Sequence, residues 1–373
     1  MVLLLLKFLK RKALFFLKVL VMHTSDLHKK KRFWAGILFA QFVLFYILSK
    51  IALAVECFNS LFELKKETHQ YLSSLFPFSI GDILYIVLFV ILIYNLVSIF
   101  KKKKQSLLKL LVGVNICYFI YQSFWGMTYF QPPIINLLPK EEPSINEAKT
   151  LAIKYLNLCK ESRAQVSEDS NGVFKIKNLS IVTSEILNQQ KQLPLGLNSK
   201  ITTDISNFKP SIFSFIMNDT GILGYYNPFS AEAQYNPNLP DTYLPFTLAH
   251  ESAHQLGYAR EQEANFIGYL IGIDSDNIDL KYSTQYFTLK SLLNSLVDTE
   301  PQFVEKILSE YSDGMKRDRA YEKDFINKHT GLISDFFGLT NHLFLKSNQQ
   351  EGRITYSYFI ELLIKYERLS ITN

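Results

Sequence analysis

Three long runs without a charged residue constrain this chain more than any other feature: residues 33–49, 83–100 and 110–130, of 17, 18 and 21 residues. A helix satisfies its own backbone groups and needs roughly 20 apolar residues to cross about 30 Å of hydrocarbon. Buried helices of soluble domains are seldom so uninterrupted, so three transmembrane helices are expected. The first run resumes at 51–55 after Lys50, and Ala52-Leu53-Ala54 is like a small-residue cleavage site. Its apolar stretch nevertheless exceeds the roughly 7–15 residues of a signal-peptide core, which favours an uncleaved anchor. Residues 1–22 cannot span, because Lys7, Lys10, Arg11, Lys12 and Lys18 interrupt the apolar residues. Their mixture suits a helix lying on an anionic membrane face.

Charge orients the spans. Nine Lys or Arg precede the first run and Lys101–Lys104 separate the second from the third, whereas the segment between the first two carries Lys65 and Lys66 against Glu56, Glu63 and Glu67. Cytoplasmic loops collect basic residues, so the amino terminus is expected inside and everything after Phe130 outside. Residues 1–132 hold 17 Lys+Arg and 5 Asp+Glu; the remainder holds 23 and 29, a net charge of −6. An acidic remainder without a basic block excludes a nucleic-acid footprint, and the overall +6 reports membrane topology instead. Cys57, Cys117 and Cys159 contain no C-x-x-C pair, so neither a disulfide framework nor a thiolate metal site is implied. A pairing of Cys57 with Cys159 is compatible with this topology.

The expected organisation is a basic cytoplasmic segment (1–32), three transmembrane helices (33–130), a proline-punctuated linker (131–143) and an outer domain (144–373). Within that domain 144–166 has helical spacing with Ser144 or Asn146 as cap, and 172–189 mixes strand and helix signals. Residues 211–217 and 225–235 read as strands, punctuated by Asn227-Pro228 and Asn236-Pro237. The small-and-large alternation of 231–236 suits an edge strand that could pair with an extended peptide. From 259 on the chain reads as predominantly helical, with breaks near Thr330-Gly331 and Glu351-Gly352.

The chemistry-bearing pattern is His250-Glu251-Ser252-Ala253-His254, followed by Glu261. Residues four apart share a helix face, so His250 and His254 can offer two imidazole nitrogens to one zinc ion with Glu251 beside them as general base. Catalytic zinc takes three protein ligands and keeps one open position. Just past Gly257, Glu261 and Glu263 compete for the third place. Asn265, four residues after Glu261, could hydrogen-bond a ligand histidine, which favours Glu261. A third histidine is excluded because Arg260 stands where it would be. Tyr258, Tyr282 and Tyr286 are candidate oxyanion donors.

The segment Glu261-Gln262-Glu263-Ala264-Asn265 resembles the downstream E-x-x-A-D helix of gluzincin metallopeptidases, with Asn in place of the Asp. That resemblance implies His250, His254 and Glu261 as zinc ligands, Glu251 as general base, and a weaker charge behind the ligands where the Asp is lost. Phe76-Pro77-Phe78-Ser79, Trp125-Gly126-Met127-Thr128-Tyr129, residues 227–233 and residues 250–266 resemble a bacterial membrane family, domain of unknown function 3810. Taken together, the expected fold class is α+β, with three N-terminal transmembrane helices and a zincin-like, mostly helical extracytoplasmic domain holding a small sheet. The expected function is a zinc-dependent metallopeptidase anchored in the bacterial cytoplasmic membrane, hydrolysing peptide or protein substrates with water activated by Zn2+ and Glu251. A non-catalytic zinc-stabilised sensor or binding module is the alternative, which would have no need of the base at Glu251. An intramembrane protease is disfavoured, since Arg260, Glu261 and Glu263 would be costly in hydrocarbon.

Overall fold

A computed structural model describes residues 30–103, 105–330 and 355–372. The chain divides into two compact units, one drawn from Met1–Ala54 and Leu84–Ser123, the other from Val55–Ile83 and Phe124–Asn373. The first unit holds α1 (Lys31–Leu48) and most of α3 (Ile80–Phe100) and α4 (Ser106–Phe124), three helices long and apolar enough to cross a membrane. Where lipid surrounds a helix, a polar side chain must find its partner on a neighbour. Asn115 of α4 does so: its amide donates to the Trp34 carbonyl at 3.1 Å, and its carbonyl accepts from Gln41 of α1 at 2.9 Å. The expected helix over 1–22 lies outside the described residues.

The first apolar run does not continue through residue 55. It breaks at 49–51, and a separate helix, α2 (Ala52–Ser74), belongs to the second unit. The reason is its face: Phe62, Lys66, Gln70 and Ser73 recur at helical spacing and are buried. Phe62 packs on Trp125 with ring centroids 5.8 Å apart, and Lys66 Nζ donates to Glu63 at 2.6 Å and to the Leu256 carbonyl at 3.4 Å. Ser73 Oγ donates to the Ser230 carbonyl at 2.8 Å.

The rest of the second unit is helical around a small sheet. Its helices are α5 (Ile145–Arg163), α6 (Leu179–Gln190), α7 (Ser214–Thr220), α8 (Leu244–Leu256), α9 (Glu261–Ile273), α10 (Ile278–Leu296), α11 (Pro301–Ser309), α12 (Asp313–His329) and α13 (Thr355–Thr372). Ser144 caps α5 in a full capping box with Glu147. The end of α12 coincides with the break expected near Thr330; the one near Glu351-Gly352 lies outside the described residues. Strands β1 (Phe208–Pro210), β2 (Gly224–Asn227) and β3 (Glu232–Tyr235) stand in the order β1-β3-β2, with β1 parallel and β2 antiparallel to β3.

Three expectations change here. The segment 211–217 turns into α7 rather than a strand, ended by Gly221 in the left-handed region. Segment 231–236 is the central strand, hydrogen-bonded on both sides, so it offers no edge to a peptide. Residues 131–143 are not a free linker: Ile134 and Leu138 are buried in the domain core. Cys159 is fully buried in that core, Cys57 is exposed, and both thiols are free.

Two buried carboxylates tie distant elements together. Glu232 of β3 accepts the backbone N–H of Ile80 at 2.9 Å and of Gly81 at 2.6 Å, satisfying the open amides at the start of α3. Asp318 of α12, fully buried, accepts from Arg163 Nε at 2.6 Å, the Tyr282 hydroxyl at 2.6 Å and the Phe174 N–H at 2.9 Å. It thereby joins α5, α10, α12 and the loop before α6. Asp318→Ala takes the buried partner from the Arg163 guanidinium, leaving it only the more exposed Glu168 at 2.9 Å, and is expected to cost about 3 kcal/mol, read as a lowered urea midpoint of the intact protein in detergent. A midpoint within error of the parent would show that this cluster does not hold the bundle.

Candidate metal centre

The site is built where α8 stops and α9 begins. Pro245 sits in the first turn of α8, where its missing N–H costs nothing, and Gly257 ends the helix at φ 110°. Gly257 is required twice over, since a Cβ there would also stand 2.8 Å from the Phe62 ring. The turn it makes aims the Tyr258 carbonyl back at the helix, where it accepts from His254 Nδ1 at 2.6 Å. The chain then reverses into α9, whose Glu261, Asn265 and Gly268 lie at i, i+4 and i+7 on one face. At Gly268 the two helices approach almost backbone to backbone: a Cβ would lie 3.1 Å from His250 N and 3.2 Å from His250 Cα.

That approach brings Glu261 over both histidines. Its Oε2 lies 3.2 Å from His250 Nε2 and its Oε1 3.6 Å from His254 Nε2. The two imidazole rings stand perpendicular with centroids 4.7 Å apart, and the three ligand-type atoms lie within 4.8 Å of one another. His250 Nδ1 is 2.8 Å from Asn265 Oδ1. With each Nδ1 engaged by an oxygen, Nε2 is the nitrogen that each histidine turns toward the carboxylate, where in its deprotonated form it would offer a lone pair to a metal. Tetrahedral zinc with bonds of about 2.0–2.2 Å separates its ligand atoms by roughly 3.3 Å, so the spacing and the donor types fit that ion.

The electrostatics follow from crowding. Burial alone would depress His254, but the adjacent Glu261 charge outweighs it and lifts the imidazole to about 9. Burial likewise opposes ionisation of Glu261, and the two histidines override it, holding the carboxyl well below the usual range. Glu251 is pushed up to about 7, chiefly by burial, with the neighbouring histidines pulling the other way. It is 3% exposed, and its Oε2 meets no hydrogen-bond donor among the described residues. Gly224 of β2 walls it in: a Cβ there would lie 2.8 Å from Glu251 Cγ and Oε1.

Glu263 is turned elsewhere. Its Oε1 accepts the Ile134 N–H at 2.9 Å and Arg260 at 3.0 Å, fastening residues 131–134 to α9. Of the candidate tyrosines, Tyr258 donates to Asn198 at 2.7 Å and Tyr282 to Asp318, while Tyr286 is fully buried against Tyr282. Sequence reasoning passed over Tyr226 and Trp125. Tyr226 shares the β2 face of Gly224, its buried hydroxyl has no partner among the described residues, and its ring lies 4.6 Å from Trp125. Trp125 in turn meets His254 edge-on at 5.9 Å. The alternation along 224–226 was the one available signal, and it needed the location of the metal helix to be read.

Asn265→Ala removes the acceptor that orients His250 and is expected to weaken zinc binding about 10–100-fold in a chelator competition titration. Asn265→Asp, which restores the acid of the gluzincin pattern, is expected to retain binding; an unchanged affinity in the alanine variant would remove Asn265 from the site.

Comparison with curated proteins and with solved structures returns no match. Residues 58–364 match the sequence profile of one family, described as "Protein of unknown function (DUF3810)". That span takes in most of α2, the later two apolar helices and the whole α8–α9 site, and the chain belongs to this family.

Proposed function

We propose that the protein is a membrane-anchored zinc metallopeptidase. The observation that carries the reading is the convergence of His250 Nε2, His254 Nε2 and the Glu261 carboxylate beside a buried carboxylate, Glu251, with an oxygen that meets no donor among the described residues. Bound to these three side chains, zinc would supply Lewis acidity toward a water molecule and a carbonyl oxygen. Glu251 takes the proton of the attacking water and hands it to the leaving amine; burial tunes it for both transfers. Asn265 and the Tyr258 carbonyl hold the imidazoles in the ligating tautomer. A structural zinc site closes its fourth position and has no use for such a base, which favours the enzyme over a sensing module.

The peptide would lie along β2, the strand at the edge of the sheet beside Glu251. An extended chain pairing with that edge passes its backbone over Gly224 and so past the Glu251 carboxylate. Tyr226, on the same face, is the hydroxyl we assign to the developing oxyanion. The α8–α9 unit with its sheet is zincin-like in this reading, and the basic flanks of the apolar helices support a position of the domain on the extracytoplasmic side of a bacterial cytoplasmic membrane.

The test uses the full chain in detergent, its zinc content and a peptide library. Glu251→Gln is expected to keep zinc and lose about 10²–10⁴ in cleavage rate; equal cleavage by parent and variant would sink the enzyme reading, and zinc without cleavage by either would favour the sensor. Glu261→Gln is expected to lose metal while Glu263→Gln retains it, and the reverse would reassign the third ligand. Tyr226→Phe is expected to lower kcat about 10²–10³-fold with little change in KM.

A further inference from the structure

Helix α2 has two opposed faces. Phe62, Lys66, Gln70 and Ser73 pack into the second unit, while Leu61, Leu64 and Leu72, with Leu75 just past the helix end, form an outward apolar stripe, Leu64 being 78% and Leu75 60% exposed. Glu56 and Glu67 flank one margin of that stripe. A second apolar patch, Ile212, Phe215, Ile216 and Leu223, lies on the same unit, with Phe215 72% exposed. Bonds within the unit link the two: Lys209 Nζ donates to the Phe76 carbonyl, and Asp82 accepts the Ile212 N–H at 2.8 Å and the Ser211 hydroxyl at 3.0 Å. Asp82 is the last charged residue before the apolar run that begins at Ile83.

We propose that this surface rests on the lipid bilayer, so that the metal centre works at the membrane surface and its substrates are polypeptides tethered to the same membrane; the substrate half rests on the peptidase reading. Exposed apolar surface of this kind marks an interaction site, and connectivity says which. At 1.5 Å per residue, α2 is about 34 Å long. Three residues join it to the end of α1 and five to the start of α3, and consecutive spans leave and re-enter a bilayer on the same side. A helix standing upright on the membrane could not return its far end through five residues, so α2 lies along the surface with its leucine stripe toward the acyl chains.

The metal centre is held close to that level from two directions. Trp125, the first residue past α4, meets His254 edge-on at 5.9 Å. On β2, Gly224 abuts Glu251 and the next residue, Tyr225, donates its hydroxyl to Asp82 at the start of α3. The proposed ligand His254 is therefore one residue, and the proposed base Glu251 two residues, from the end of an apolar helix. A substrate segment a few residues from its own membrane anchor reaches this site at high effective concentration, whereas a freely diffusing chain does not.

The test uses the full protein reconstituted in vesicles of phosphatidylethanolamine and phosphatidylglycerol. A photoactivatable phospholipid is expected to label peptides covering residues 53–75 and 212–223 but not α12; labelling confined to α1, α3 and α4 would overturn the seating. One cleavable sequence is then offered as a soluble peptide and fused near a single spanning segment in the same vesicles. A preference of about tenfold or more for the tethered form, shrinking as the spacer lengthens, is expected. Equal rates would overturn the tethered-substrate assignment. Cleavage of neither form by zinc-loaded protein would remove the peptidase reading and its substrate half, while the lipid labelling decides the seating by itself.

Discussion

Gly268 sets how closely α9 lies against α8, and the geometry of the site descends from it. With no side chain at that position, α9 lies against the backbone of α8 at His250, and residues seven and three places earlier on the same face, Glu261 and Asn265, arrive at the two edges of one histidine. A Cβ there would push the two backbones apart by a few tenths of an ångström, and a longer side chain by more, drawing the carboxylate away from the imidazoles it faces at 3.2 and 3.6 Å. Gly257 complements it, since the left-handed turn it permits makes the reversal and presents the carbonyl that fixes His254.

Around this helix pair the chain uses buried acids as ties. Glu232 joins the central strand to the first turn of α3, Asp318 joins three helices and a loop, and Glu263 holds the segment leaving α4. Each is satisfied by several donors, which is the condition under which a buried charge can hold elements together rather than destabilise them. Glu251 is the exception: buried to the same degree, it has an oxygen with no donor among the described residues, and its pKa rises accordingly.

Much of the architecture was legible locally. The charge-free runs announce their helices because length and apolarity are one-dimensional properties, and the Ser144 cap, the Pro245 start and the Gly257 stop are chemistry within a single turn. The readings that failed depended on neighbours. Residues 211–217 are aromatic and apolar like a strand, yet they form α7 and expose Ile212, Phe215 and Ile216. The alternation in 231–236 looks the same for an edge as for a centre, because a strand cannot encode how many partners flank it. Helix α2 was read only as charge balance, since its buried lysines and exposed leucines invert the usual pattern.

By itself the sequence determined which atoms could meet: periodicity puts His250 and His254 on one face, and the spacing to Glu261 and Asn265 makes a second helix face available, because both follow from the 3.6-residue turn. Only the tertiary structure set Glu261 rather than Glu263 beside the two histidines, since the two share a first turn and differ in direction by about 160°. It also decided that Gly224 and Tyr226 of β2, and Trp125 at the end of an apolar helix, complete the walls of the site. Those contacts join residues more than twenty and more than a hundred positions apart, and no local pattern carries information about which distant backbone will come to rest beside it.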